Sequence, residues 1–309
     1  MCTAINTKNF FGRNLDFEHG FGEKVILTPR RYPFSFSNMH YAMIGIGINM
    51  NYPLYFDAMN EKGVGMAGLN FPENAHYFEC DNDKKCIPSF DVIPFVLSQA
   101  TSVKEAKDLL ENAVITNAPF SKELSPSPLH WIVSDAKGSL VVESTKEGLS
   151  LYDNPVGVLA NNPPFPHQLS FLRFYLNITS STPQNRFSKR LDITPFSRGM
   201  GGIGLPGDLS SASRFVRASF MKENSKRDTI SQFFHLLSSV EQIDGAAEVR
   251  EGEYEMTLYS SAYSRESLSL YYTTYTNRRI TEIPFKNTDG EGLTLYDIKT
   301  EEDIKVISV

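Results

Sequence analysis

A cysteine stands directly behind the initiator methionine, in Met1-Cys2-Thr3. Cysteine is small enough for Met1 to be removed, and the product would carry an α-amine and a thiol on one residue. A free α-amine ordinarily titrates near ~7.7–8.0 and a thiol near ~8.5. The amine can take the thiol proton and later hand it to a leaving group. Such a residue supplies nucleophile and base together and needs no histidine. While Met1 remains, the same nitrogen is an amide and cannot act as a base, so processing would switch activity on. A cysteine at position 2 can equally be incidental, so the rest of the chain must decide.

Polar residues set into apolar runs are the candidate partners. Phe11-Gly12-Arg13-Asn14-Leu15-Asp16 places two opposite charges close behind the N-terminus. Arg13 and Asp16 read either as a surface salt bridge or as groups that orient the amine and favour the thiolate. Gly68-Leu69-Asn70-Phe71-Pro72 and Leu159-Ala160-Asn161-Asn162-Pro163 each end a strand-like run with a carboxamide. Asparagines there serve turns, or they serve as hydrogen-bond donors to an oxyanion, worth roughly 3–4 kcal/mol per donor. Ser213-Arg214-Phe215-Val216-Arg217 sets an arginine beside an apolar run, where a surface position is the ordinary reading.

Other signals point away from chemistry. Gly199-Met200-Gly201-Gly202-Ile203-Gly204 fits a dinucleotide-binding pattern, with Glu223 near the ribose position. Pro195 spoils the strand that should precede it, and Pro206-Gly207 breaks the helix that should follow. A glycine-rich loop or subunit contact is the better reading, and no cofactor is expected. None of the six histidines has the spacing of a zinc ligand pair, and Cys80 and Cys86 have no matching partner pair, so no metal is expected. His130 and His235 read as structural. Three cysteines do not suggest a disulfide framework.

Elements that could position Cys2 and its partners are legible on either side of it. Lys24–Pro29, Ala42–Ile48, Val64–Phe71, Leu129–Asp135, Ser139–Thr145, Leu149–Asp153 and Gly157–Asn161 read as strands, as do Met256–Ser264, Leu268–Thr276 and Ile280–Phe285. Short connections such as Ala136-Lys137-Gly138 imply antiparallel hairpins. Ser102-Val103-Lys104-Glu105 is a capping box that opens a helix. Ile230, Phe233, Phe234, Leu237 and Val240 fall at helical spacing, and the almost wholly apolar Ser89–Ala100 reads as a buried helix. Strand groups separated by helix groups predict an α+β chain, with helices layered on antiparallel sheets. The net charge of −6 argues against a nucleic-acid partner. The N-terminus lacks a charged segment followed by an apolar one, and no apolar run approaches the ~20 residues of a membrane helix. Cytoplasmic residence, with no membrane contact, is the corresponding expectation.

Taken in order, Met1-Cys2-Thr3, Phe11 to Asp16, Asn60-Glu61-Lys62-Gly63, Ala67 to Pro72, Leu129-His130-Trp131, Val141-Val142-Glu143, Leu159 to Pro163, and Leu205-Pro206-Gly207-Asp208 through Phe215 resemble the choloylglycine hydrolase family. That family holds bile salt hydrolases and penicillin V acylases. The resemblance runs nearly end to end. It implies one domain over residues 1–309, a four-layer αββα sandwich of the N-terminal-nucleophile hydrolase type, and Cys2 as nucleophile once Met1 is lost. By position, Arg13, Asp16, Asn70, Asn161 and Arg214 match the family's active-site residues. It assigns the oxyanion to Asn70 and Asn161, the α-amine to Asp16, and the field around the thiol to Arg13 and Arg214. Asn70 in a Leu-Asn-Phe context is similar to the bile salt hydrolase branch. Leu15, Phe21, Phe120 and Leu124 match positions that line a steroid pocket, and a segment near 174–208 matches a subunit-contact loop of tetrameric relatives. The implied activity is hydrolysis of glycine- or taurine-conjugated bile salts, with penicillin V or another acyl amide, or non-catalytic bile salt binding, as alternatives. Two departures stand out: a short segment between Cys2 and Arg13, which implies a tight first hairpin, and Ala160 where threonine is usual.

Overall fold

The structure is a computed structural model that describes residues 1–81, 83–286 and 288–307. The chain begins with β1 (Cys2–Asn6), β2 (Phe10–Phe17), β3 (Lys24–Thr28), β4 (Met43–Asn49), β5 (Pro53–Asn60), β6 (Gly65–Asn70) and β7 (Lys85–Pro88). Helices α1 (Val92–Leu97) and α2 (Val103–Leu110) follow. Next come β8 (Ala113–Thr116), β9 (Leu129–Ser134), β10 (Ser139–Thr145), β11 (Gly148–Asp153) and β12 (Val158–Leu159). Helices α3 (Phe165–Phe171), α4 (Ser211–Asn224) and α5 (Ile230–Ser238) lead to β13 (Glu248–Arg250), β14 (Glu253–Tyr254), β15 (Met256–Ser264), β16 (Ser269–Thr274), β17 (Thr281–Pro284) and β18 (Thr294–Asp297).

Two sheets form the centre. One has the order β12-β1-β2-β15-β16-β17, the other β11-β10-β9-β6-β5-β4-β3-β18. All their ladders are antiparallel. Helices α4 and α5 cover the first sheet, and α1 and α2 cover the second. The result is the expected four-layer αββα sandwich. Strand alternation explains why the runs of the second sheet are apolar without a break. Ile44, Ile46, Ala67, Leu69, Ile132 and Val141 face the other sheet. Their neighbours Met43, Met66, Trp131, Val133 and Val142 face α1 and α2.

Local signals hold with small changes. Ser102 accepts a hydrogen bond from the Glu105 amide at 3.2 Å, but the Glu105 carboxylate turns to the Thr101 amide at 2.7 Å, so only half of the capping box closes. The first hairpin is tight, pairing Ala4 with Arg13 across a connection of residues 7–9. The Gly199–Gly204 segment forms a short turn, Met200–Gly202, in which Gly201 lies against the carbonyls of Thr179 and Ser181. One reading is corrected: Cys80 and Cys86 form a disulfide. The odd cysteine count is one local pair plus the free thiol of Cys2. Between the two cysteines the Lys84 amide donates to the Asp81 carbonyl at 2.9 Å, and Cys86 itself lies in β7.

Candidate active site

Strand β1 lies between β12 and β2, so Cys2 enters the sandwich at its first residue and is 3% exposed. Cys2 pairs with Leu15 and Ala4 with Arg13. Directly paired residues share a face, so Arg13 and Leu15 stand beside the thiol between the sheets. Asp16 is three residues from Arg13 and therefore points the other way, toward α4. Both side chains are buried, which excludes a surface salt bridge between them.

The Arg13 guanidinium contacts Cys2 Sγ through Nη2. Its Nη1 donates to the Gly68 carbonyl at 2.7 Å and to the Phe56 carbonyl at 3.3 Å, and Nε donates to the Asn14 carbonyl at 3.2 Å. Burial works against its charge. The Cys2 thiol, Tyr259, Asp57 and Asp16 outweigh that penalty and hold Arg13 above its ordinary range.

The backbone side of Cys2 is equally specified. Its nitrogen donates to Asn161 Oδ1 at 2.7 Å. Arg214, buried on α4, donates from Nη2 to the same Asn161 oxygen at 2.8 Å and from Nη1 to the Cys2 carbonyl at 2.6 Å. These donors fix the Asn161 carboxamide with its oxygen toward Cys2. Asn161 Nδ2 gives one hydrogen to the Asn70 carbonyl at 2.7 Å and keeps a second. Asp16 Oδ1 accepts from Thr257 Oγ1 at 2.7 Å, whereas Oδ2 is buried without a hydrogen-bond partner and lies 3.9 Å from Arg214 Nη1. Burial raises the Asp16 carboxyl above its ordinary value, opposed by Arg214 and the N-terminal ammonium.

Met1 extends the ladder by one residue. Its ammonium donates to the Asp16 carbonyl at 2.6 Å and to Glu255 Oε1 at 2.5 Å, and the Asp16 amide donates to the Met1 carbonyl at 2.9 Å. The charged amine is thus one residue away from the thiol it would serve. Glu255 and Thr257 were not legible as site residues. Thr257 lies within a strand-like run and Glu255 just ahead of it, with no motif around them.

A cavity of about 340 Å³ opens over Cys2, Arg13 and Asn70. Leu15, Phe21, Phe120 and Leu124 line it, joined by Phe17, Phe56, Phe90, Ile93 and Trp131. Two ring clusters line it: Phe17, Phe21 and Phe56, with centroids 4.8 Å and 5.6 Å apart in turn, and Phe90 with Phe120 at 5.3 Å. Asn70, which closes β6, and Asn161, which follows β12, come from different sheets and meet here. Among the described residues, no group of three or more His, Cys, Asp or Glu side chains could hold a metal ion. Among the same residues, no helix is long and apolar enough to cross a membrane.

An αββα sandwich whose first strand opens on a buried cysteine, with that residue's nitrogen on an acceptor and a guanidinium at its sulfur, has the design of an N-terminal-nucleophile amide hydrolase. The chain matches the profile of linear amide C–N hydrolases, choloylglycine hydrolase family, over residues 2–300. It is 49% identical to a bile salt hydrolase/transferase of Lactiplantibacillus plantarum, covering 97% of this chain and 98% of that one. It is 37% identical to a bile salt hydrolase/transferase of Clostridium perfringens, covering 100% and 99%. A crystal structure of conjugated bile acid hydrolase from Clostridium perfringens superimposes with a TM-score of 0.93 at 35% identity, over 100% of both chains. A penicillin V acylase from Agrobacterium tumefaciens shares the fold, with a TM-score of 0.74 at 17% identity, covering 97% of this chain and 92% of that one. The chain belongs to the choloylglycine hydrolase family and is a linear amide C–N hydrolase.

Proposed function

We propose that this enzyme hydrolyses the amide joining a bile acid to glycine or taurine, with Cys2 as the nucleophile after Met1 is removed. The observation that carries this reading is the apolar cavity opening directly on the thiol. A steroid nucleus is a large apolar body, and the two ring clusters that line the cavity offer it desolvated contact while the amide reaches Cys2. The thiol attacks the carbonyl with Arg13 at its sulfur. The tetrahedral oxygen accepts hydrogen bonds from the Asn70 and Asn161 carboxamides, the latter already oriented by the Cys2 nitrogen and Arg214. The α-amine of Cys2, held by Asn161 Oδ1 and by Asp16, receives the thiol proton and passes it to the departing amino acid. Water then opens the thioester with the same amine as base.

We further propose one catalytic domain that assembles as a homotetramer through residues 174–208. Supporting this, Phe174, Phe187 and Phe196 are 77%, 85% and 88% exposed. A cytoplasmic location is part of the same reading.

The test is release of free amino acid from glycocholate and taurocholate, beside penicillin V, with Cys2 confirmed as the mature N-terminus by intact mass. Release from the bile salts with little penicillin cleavage is expected. Cleavage of penicillin V alone would assign the cavity to a phenoxyacetyl group instead.

A further inference from the structure

Asn70 and Asn161 belong to different sheets, yet their carboxamides must serve one carbonyl. The bond from Asn161 Nδ2 to the Asn70 carbonyl joins them on the thiol side. A second connection lies behind it, at His130. His130 sits on β9 and pairs with Leu69, next to Asn70 in the ladder. Its ring stacks on Phe71, with centroids 4.2 Å apart and planes 6° from parallel. Its Nε2 is 2.8 Å from the Ala160 carbonyl, the peptide that leads into Asn161. Its Nδ1 is 3.0 Å from Glu143 Oε1 on β10. Both side chains are fully buried.

The hydrogens follow from the acceptors. A peptide carbonyl only accepts, so Nε2 carries a hydrogen and donates it to Ala160. Nδ1 and Glu143 Oε1 then share a further proton, while the same oxygen accepts from the Phe165 amide at 2.9 Å. The ring is therefore held by a bond on each side and by a face contact. It forms a strut from the eight-stranded sheet to the end of β12 in the six-stranded sheet. Gln168 on α3 completes the clamp, accepting from the Ala160 amide at 3.2 Å and donating to the Asn161 carbonyl at 2.5 Å. An apolar side chain could fill this space without desolvating two polar groups. What the imidazole adds is a directional bond to the backbone that carries Asn161.

We propose that His130, oriented by Glu143, is a positioning residue that sets the spacing of the Asn70 and Asn161 carboxamides across the two sheets. This rests on the reading that those carboxamides receive the tetrahedral oxygen. His130 does not line the cavity and touches no reacting atom.

His130→Phe keeps the ring and its stack on Phe71 but removes the donor. Expected with glycocholate is a fall in kcat of about 10²-fold, the scale of a small misplacement of reacting groups. KM should stay within about threefold, because the apolar walls are untouched. Alkylation of Cys2 by iodoacetamide passes through no tetrahedral oxyanion and should also stay within about threefold. Glu143→Gln, the milder change, should give the same split at roughly tenfold in kcat, and it carries the test if His130→Phe does not fold. If the wild type is silent on both glycocholate and taurocholate, the bile salt reading fails. The split is then read with p-nitrophenyl acetate, which acylates the thiol through the same intermediate without needing the cavity. Unchanged kcat, or parallel loss of acyl turnover and alkylation in both variants, would overturn the proposal.

Discussion

The groups around Cys2 divide by the side from which they approach it. Arg13 meets the sulfur from between the sheets, while Asn161 and Arg214 meet the backbone from the α4 side, with Asp16 behind Arg214. That division follows from the odd spacing of Arg13 and Asp16 on one strand, and it separates the thiol's field from the amine's. Asp16 Oδ2 has no hydrogen-bond partner while Met1 is attached. In the proposed mechanism a mature Cys2 ammonium supplies one. Asp16→Asn should therefore lower kcat/KM of the processed enzyme by about 10²-fold or more, as expected for a group that holds a catalytic base. The same substitution should leave the unprocessed chain at least as stable. A carboxyl raised by burial contributes stability below its unfolded pKa and loses it as pH rises through its folded value. A melting series at pH 7.5 on the unprocessed chain, beside steady-state kinetics on the processed one, checks both halves. A variant that loses stability in step with activity would contradict this assignment.

At the scale of elements, the wall of the cavity rests on a titrating turn. Asp91 closes the turn Ser89–Asp91 that leads into α1, caps nothing with its side chain, and accepts a hydrogen bond from Tyr52. Burial, opposed by that bond, raises its carboxyl from 3.8 to about 6. The folded state holds this proton more tightly than the unfolded state. The associated stability is full below pH 3.8 and is lost as pH rises through about 6. Asp91→Asn keeps the acceptor for Tyr52 and removes the charge. It should raise Tm at pH 7.5, by up to roughly 3 kcal/mol of stability, and flatten the Tm profile between pH 4 and 7. A profile as steep as the wild type's would refute it.

Much of this architecture was legible because each long strand alternates between two cores, as in Ala67 against Met66 or Ile132 against Trp131. Strand β5 was not, since Asp57 interrupts its pattern in order to accept the hydroxyls of Tyr259, Ser261 and Tyr263 from the facing sheet. Helix α4 was hidden for a similar reason: Ser213 and Arg214 occupy its buried face. The six polar site residues carried no ranking of their own, because every one has an ordinary reading in isolation. Their order along the chain selected them, and the geometry explains the order. Gly12 shows this at one position: a Cβ there would lie 2.0 Å from the Ser261 carbonyl, so the strand that presents Arg13 can pass between β1 and β15 only without a side chain.

For the molecule as a whole, the exposed rings of residues 174–208 predict association. Phe174→Ser combined with Phe196→Ser should shift the assembly toward smaller species in sedimentation velocity, with the fold retained by circular dichroism. An unshifted distribution would place the contact elsewhere. The N-terminal ladder sets a different condition, one of timing. Met1 is paired through both backbone groups and tied to Glu255, and the strand it extends is an interior one. Once that strand has docked, the Met1–Cys2 bond is no longer presented as a loose end, so the proposed mechanism expects trimming to run ahead of folding. A molecule that misses the window becomes a caged reagent: fully folded, silent, and indifferent to further aminopeptidase. Expression that outruns trimming should yield a mixture whose specific activity equals the fraction of chains beginning at Cys2 in the intact mass spectrum.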